Sequence, residues 1–86
     1  MKTFSLSIIT PEETIFSGTA QTLVLPSVCG QMEVLAEHAP AFIMLGKGSI
    51  IVHVDDANTK SYEVENGYAQ IKRNAVKILP ENVAQK

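Results

Sequence analysis

Apolar and polar residues alternate along most of this chain with a period of two. From Thr3 to Thr10, Phe4, Leu6 and Ile8 stand opposite Ser5 and Ser7, the mark of a strand with one dry face, and Pro11 stops it. Thr14-Ile15-Phe16-Ser17 with Gly18 predicts a short second strand and a turn. Thr19 to Leu25 alternates again, so the first three strands read as a meander. Further on, the β-branched run Ser49 to Val54 ends at the polar turn Asp55-Asp56-Ala57-Asn58, and Ser61 to Glu65 returns as the second arm of a hairpin. Asn66-Gly67 is the dipeptide best suited to a tight type I′ turn and is predicted to reverse the chain into Tyr68 to Lys72. Arg73-Asn74 turns once more into Ala75 to Leu79, Pro80 is predicted to end this last strand, and Glu81 to Lys86 to fray.

The stretch Pro26 to Gly48 breaks the rhythm. Pro26 cannot donate to a ladder and is predicted to end the strand before it; Gly30 permits a positive φ, Pro40 pushes Ala39 extended, and Gly46-Lys47-Gly48 is turn chemistry, read as a plain hairpin turn. Only short strands fit between these breakers. Met32 to Leu35 is one, and Ala41-Phe42-Ile43-Met44-Leu45 is the other. The second is apolar at every position, so both of its faces must be covered, one by the domain's own core and the other by a partner or by more of the domain. No apolar period of 3.6 residues occurs anywhere. The pattern predicts an all-β fold of about eight to ten short antiparallel strands closed as a sandwich or a barrel, in one domain over residues 1–86.

At 86 residues the core supplies only a marginal surplus over conformational entropy, and a permanent partner would help. A net charge of -2 and a pI near 5.6, with seven Lys and Arg spread singly, argue against a nucleic-acid surface. The one cysteine, Cys29, excludes an intrachain disulfide and fits a reducing compartment. No segment approaches the ~20 apolar residues of a spanning helix, so a membrane would matter only through a partner.

Candidate chemistry is sparse. Gly46-Lys47-Gly48-Ser49 resembles a fragment of a phosphate loop, but Ala41 stands where the upstream glycine belongs and β-branched residues follow where a helix should begin. Cys29 and His38 lack an orienting third residue and an oxyanion-hole motif. His38, His53, Asp55 and Asp56 have no zinc or calcium spacing, and His53 is read as the wet side of its strand. The carboxylates are scattered as on a solvated surface, so neither catalysis nor a cofactor nor a metal is expected.

The run Gly30 to Pro40, followed by Leu45-Gly46-Lys47-Gly48-Ser49-Ile50, resembles the signature of the epsilon subunit of bacterial F-type ATP synthases; so do Pro11 to Gly18 and Val64-Glu65-Asn66-Gly67. The resemblance covers essentially the whole chain. It implies a flattened antiparallel β-sandwich at the foot of the central stalk, clamping the gamma subunit to the ring of c subunits. That places it on the cytoplasmic face of the bacterial inner membrane, peripheral, in a complex that moves hydrogen ions and makes ATP. The loop carrying Ser27, Cys29, Gln31, Met32 and Glu33 would face the c-ring, and the edge carrying Thr10, Ile15, His38, Ala41, Phe42 and Ile43 would face gamma.

The sequence departs from the family where Glu33 replaces a common Gly, Ala36-Glu37 a common Pro-Gly, and Asn66-Gly67 a Gly-Gly. It also lacks the C-terminal two-helix hairpin that most relatives use to bind ATP and brake the rotor; the residues do not decide whether that reflects the subunit or a fragment. Two other readings compete: a free-standing sandwich that binds a peptide or small ligand, which predicts a concave pocket, and a small hydrolase using Cys29, which predicts inactivation by thiol alkylation.

Overall fold

The computed structural model describes residues 2–37 and 39–85, with the side chains of 84 and 85 left aside. Eight strands and no helix account for the described residues: β1 (Phe4–Ile9), β2 (Thr14–Ala20), β3 (Thr22–Ser27), β4 (Gly30–Leu35), β5 (Ala41–Met44), β6 (Gly48–His53), β7 (Thr59–Lys72) and β8 (Ala75–Gln85). They follow one hydrogen-bonded path, β2-β1-β8-β7-β6-β3-β4, with β5 added on β7. The path folds into two layers because β7 and β8 bend. The first half of β7 pairs with β6 (Gly48↔Val64 to His53↔Thr59), and its second half pairs with β5 (Ala41↔Ile71 to Met44↔Tyr68). One layer is therefore β4-β3-β6-β7-β8 and the other β5-β7-β8-β1-β2, and the all-β sandwich read from the alternation is the observed architecture.

The bend lies at Asn66 and Gly67, whose φ values are +62° and +118°. Both residues have the positive φ that a type I′ turn would require, but the chain does not reverse there. It stays in one register with β8 from Tyr62↔Gln85 to Lys72↔Ala75. What changes is the phase of the pleat. Tyr62 and Val64 point into the core before the bend, Ala69 and Ile71 after it, so the inward set moves from even to odd positions. A ribbon can serve both layers only if its dry face rolls over in this way.

Gly46-Lys47-Gly48 is no hairpin turn, because β5 and β6 run in the same direction along one edge of β7. Residues 45–47 are a step between them, fixed by Leu45 N donating to Gly67 O and Gly46 N donating to Pro26 O. Pro26 does not end β3. It pairs with Gln31 of β4, while β3 leaves β6 at Val24, so the side on which proline lacks its donor has no ladder left to complete. Pro80 likewise lies inside β8, opposite Gly67 and beyond the last β1 pair at Ile78, and strand rather than a frayed tail continues to Gln85. β1, β2 and β3 do not form a meander: β2 pairs with β1 alone, and at Gln21, whose N–H donates to His53 O, the chain crosses into the other layer. The sheet is not purely antiparallel either, because β1 and β8 pair in parallel.

Both layers contribute to one core. Phe4, Leu6, Ile8, Ile71 and Ile78 from one meet Leu23, Leu25, Val34, Ile50, Val52 and Tyr62 from the other. Each fully buried Leu or Ile contributes about 1.5–3 kcal/mol, and among the described residues no charged or polar one shares this core. The alternation visible in β1, β3 and β6 is this burial.

Candidate functional site

The β3–β4 hairpin and β5 form one end of the molecule. Val28 and Cys29 make the hairpin turn, which closes on Gly30 at φ +123°; Ser27 Oγ donates to Gly30 O and accepts from Cys29 N. The turn is tied to β5 by Val28 N donating to Met44 O at 3.0 Å. Of the residues expected to face the c-ring, Ser27 and Cys29 flank or form this turn, whereas Gln31, Met32 and Glu33 lie on β4 itself. Gln31 and Glu33 are exposed, and Met32 packs partly against the core. Val28 tips the turn with 65% of its surface exposed and was not singled out from the sequence, because a valine beside a cysteine in a turn carries no distinguishing pattern.

β5 resolves the puzzle of a strand apolar on both sides. Ala41 and Ile43 pack against the core, and Phe42 and Met44 point outward with 61% and 55% of their surfaces exposed. Phe42 stacks on Tyr68 of β7, ring centroids 5.0 Å apart. Met44 is the direct cross-strand partner of Tyr68, and Tyr68 of Leu79. Ile9, one residue past the parallel pair Ile8↔Ile78, lines the same groove as Tyr68 and Leu79. Met44, Tyr68, Leu79 and Ile9 thus form an apolar row across four strands on the outer face of the second layer, with Phe42 beside it. Exposed apolar surface gathered into a contiguous row marks an interaction site, whereas single exposed residues do not.

Thr10 ends this row, in the groove with Ile9 and Tyr68. Its hydroxyl donates to Glu13 O and accepts from Glu13 N, closing the β1–β2 turn. Ile15 is the extra residue of a bulge in β2 and packs partly against the core. Ala41, Phe42 and Ile43 are on the opposite edge strand, so the residues expected at one edge occupy two edges of a layer, joined by Tyr68 and Leu79. His38 lies outside the described residues. The Arg73-Asn74 turn by itself sets Tyr68 opposite Leu79, but no local pattern places β5 beside Tyr68 or Ile9 beside Leu79, so the row as a whole is not visible in the sequence.

The connection into β5 is held by charge. Glu37 sits at φ +63° and its two carboxylate oxygens reach Lys2 Nζ at 2.7 Å and Arg73 at 3.6 Å. The Lys2 hydrogen bond and charge, with Arg73, hold this carboxyl below its ordinary value. The position is left-handed, a backbone conformation that glycine adopts without strain. Cys29 is exposed in the turn, and among the described residues no three His, Cys, Asp or Glu gather as metal ligands. His53 lies on the outer face of its layer with Nδ1 3.1 Å from Thr59 Oγ1.

The fold is a β-sandwich whose two layers share the bent β7–β8 ribbon, with an apolar row on the outer face of the second layer. The family model for the ATP synthase delta/epsilon chain β-sandwich domain matches residues 3–86, and the chain belongs to that family. It is 29% identical over 83 residues to the ATP synthase epsilon chain of Chlorobium limicola, covering 96% of this chain and 94% of that one. To the epsilon chain of Caulobacter vibrioides it is 32% identical over 85 residues, with 99% and 98% covered. To the chloroplastic epsilon chain of Tetradesmus obliquus it is 38% identical over 74 residues, where it spans only 54% of the relative's length. The fold matches a chain of the Euglena gracilis mitochondrial ATP synthase with a TM-score of 0.89 at 20% identity, covering 96% of this chain and 53% of that one. A chain from the central stalk and c-ring of the Tetrahymena thermophila mitochondrial ATP synthase matches with a TM-score of 0.81 at 8% identity, with 98% and 67% covered.

Proposed function

We propose that the protein is a non-catalytic rotor subunit of a proton-translocating F-type ATP synthase, coupling the gamma subunit to the c-ring so that ring rotation drives ATP synthesis. The observation that carries this reading is the row Met44, Tyr68, Leu79 and Ile9 with Phe42 stacked beside it, an apolar face too continuous to be left in water. In this reading gamma covers that face and Thr10 at its end, while the β3–β4 turn with Ser27, Cys29 and Gln31 meets the polar loops of the c subunits. The domain works without a cofactor and reaches the cytoplasmic face of the inner membrane only through the complex.

The test is Phe42→Asp. Phe42 is largely exposed and borrows little from the core, so the variant should remain folded and melt only about 5–10 °C lower through loss of the Tyr68 stack. Truncating a central apolar anchor typically costs ~2 kcal/mol or more of binding, and a desolvated carboxylate adds to that loss. Capture by gamma in a pull-down should therefore disappear. A variant that folds and still binds refutes the assignment of this face.

A further inference from the structure

The outer face of the second layer is also polarised in charge. Next to the apolar row runs a second row, in which Phe42 pairs with Gln70, Gln70 with Lys77, and Lys77 with Ser7. Beyond it Lys72 pairs with Ala75. Lys72, Lys77, Gln70, Ser5 and Ser7 line one shallow groove, which places both ammonium groups' stems on the same side of the sheet. The chain has nine Asp and Glu against seven Lys and Arg, yet no carboxylate stands in these rows. Glu81 borders the groove on the far side of the apolar row, by Thr10 and Pro11. Neither Lys72 nor Lys77 has an ion pair among the described residues, whereas the nearby Arg73 is engaged by Glu37. The outer face of the other layer carries Glu33 and Glu63 instead.

We infer that this face takes a segment of the stalk partner that presents an apolar stripe bordered on one side by carboxylates. Met44, Tyr68, Leu79 and Ile9 seat the stripe, and Lys72 and Lys77 pair the carboxylates. The inference rests on the rotor reading and adds the chemistry and the orientation of the bound segment. An apolar row alone is indifferent to rotating a partner end for end. A row with cations on one flank and Glu81 on the other is not, because the reversed partner would set like charges together.

The experiment measures binding of the domain to the gamma subunit of the same assembly by surface plasmon resonance across ionic strength. Affinity of the unaltered domain should fall steadily from about 50 to about 500 mM salt, the range over which exposed charge pairs become screened. Lys72→Glu with Lys77→Glu should weaken binding about tenfold or more, chiefly through the association rate. Lys72→Arg with Lys77→Arg should bind as the unaltered domain does, and so should Lys60→Glu on the other layer. Salt-independent binding, or a charge-reversed double variant that binds like the parent, overturns this inference alone. No capture of the unaltered domain at any salt overturns the rotor reading with it.

Discussion

Replacing Gly67 by alanine tests whether the bent ribbon is a requirement of the fold. At φ +118° an L-residue is strained, and the added Cβ would stand 2.5 Å from Pro80 Cα and overlap the Leu79 carbonyl oxygen. Both obstacles are backbone atoms of the paired strand and cannot swing aside as a side chain would. Holding a non-glycine residue in such a region costs about 1–3 kcal/mol, and forcing an extra carbon into filled space a further ~1–3 kcal/mol, so the sum centres near 4 kcal/mol. Small domains are stable by about 5–15 kcal/mol, with chains of this size toward the lower end, so most of the surplus is at stake. A shift of about 4–8 °C per kcal/mol at this length translates into a melting temperature lower by roughly 15–30 °C. Gly18→Ala is the control, since its Cβ would meet only the Phe16 ring, at 3.6 Å, with no positive φ. Thermal melts followed by circular dichroism read both. If Gly67→Ala melts within ~5 °C of the parent, the bend is not held by that close approach and the reasoning fails.

Two further predictions concern ionisation. The Glu37 carboxyl, lowered by Lys2 and Arg73, and the Asp55 carboxyl, lowered by the Asn58 side chain and the Ala57 N–H, have ordinary values of 4.5 and 3.8. Their contributions are present above those values and are lost as pH falls through the lowered ones. Melting temperature should therefore drop as solutions are acidified below about pH 4.5, less steeply in Glu37→Gln, and an unchanged acid slope in that variant would refute the pairing. Glu37→Gly should melt above Glu37→Gln, since both lose the ion pairs but only glycine relaxes at φ +63°; the reverse order sinks the strain argument. Burial raises the Tyr62 phenol above its ordinary value of 10.0, so its contribution is present below pH 10 and lost as pH rises through the raised value. Alkaline melts should show a decline that Tyr62→Phe lessens, and identical profiles would remove Tyr62 as its source.

The sequence displayed the dry and wet faces of β1, β3 and β6 directly, because each of these strands buries one side and the pleat has a period of two. The β6–β7 and β7–β8 turns were legible too: Asp55 Oδ1 accepts from the N–H groups of Ala57 and Asn58, and Arg73-Asn74 spans a two-residue connection. What could not be read was whether a turn-forming dipeptide turns. Asn66-Gly67 and Pro80 carry local preferences that a hairpin and a bent strand satisfy equally, and only the facing strand decides between them. The site was hidden for a different reason, the pairing of strands far apart in sequence. Phe42 stood out because its strand is apolar throughout, but Tyr68, Leu79 and Ile9 each look ordinary alone and become a surface only through cross-strand register.

The β7–β8 ribbon also has a mechanical meaning. A sandwich made of two separate sheets resists shear between its layers only through side-chain packing, which slides more readily than hydrogen bonds break. Here the same two strands belong to both layers, and a displacement of one layer against the other must rupture a backbone ladder that keeps one register from Tyr62↔Gln85 to Lys72↔Ala75. The outer face of the β5 layer and the tip of the β3–β4 hairpin are further strapped together by Val28 N donating to Met44 O. Relative sliding of these two surfaces is therefore opposed by a continuous backbone ladder and a backbone hydrogen bond as well as by side-chain packing.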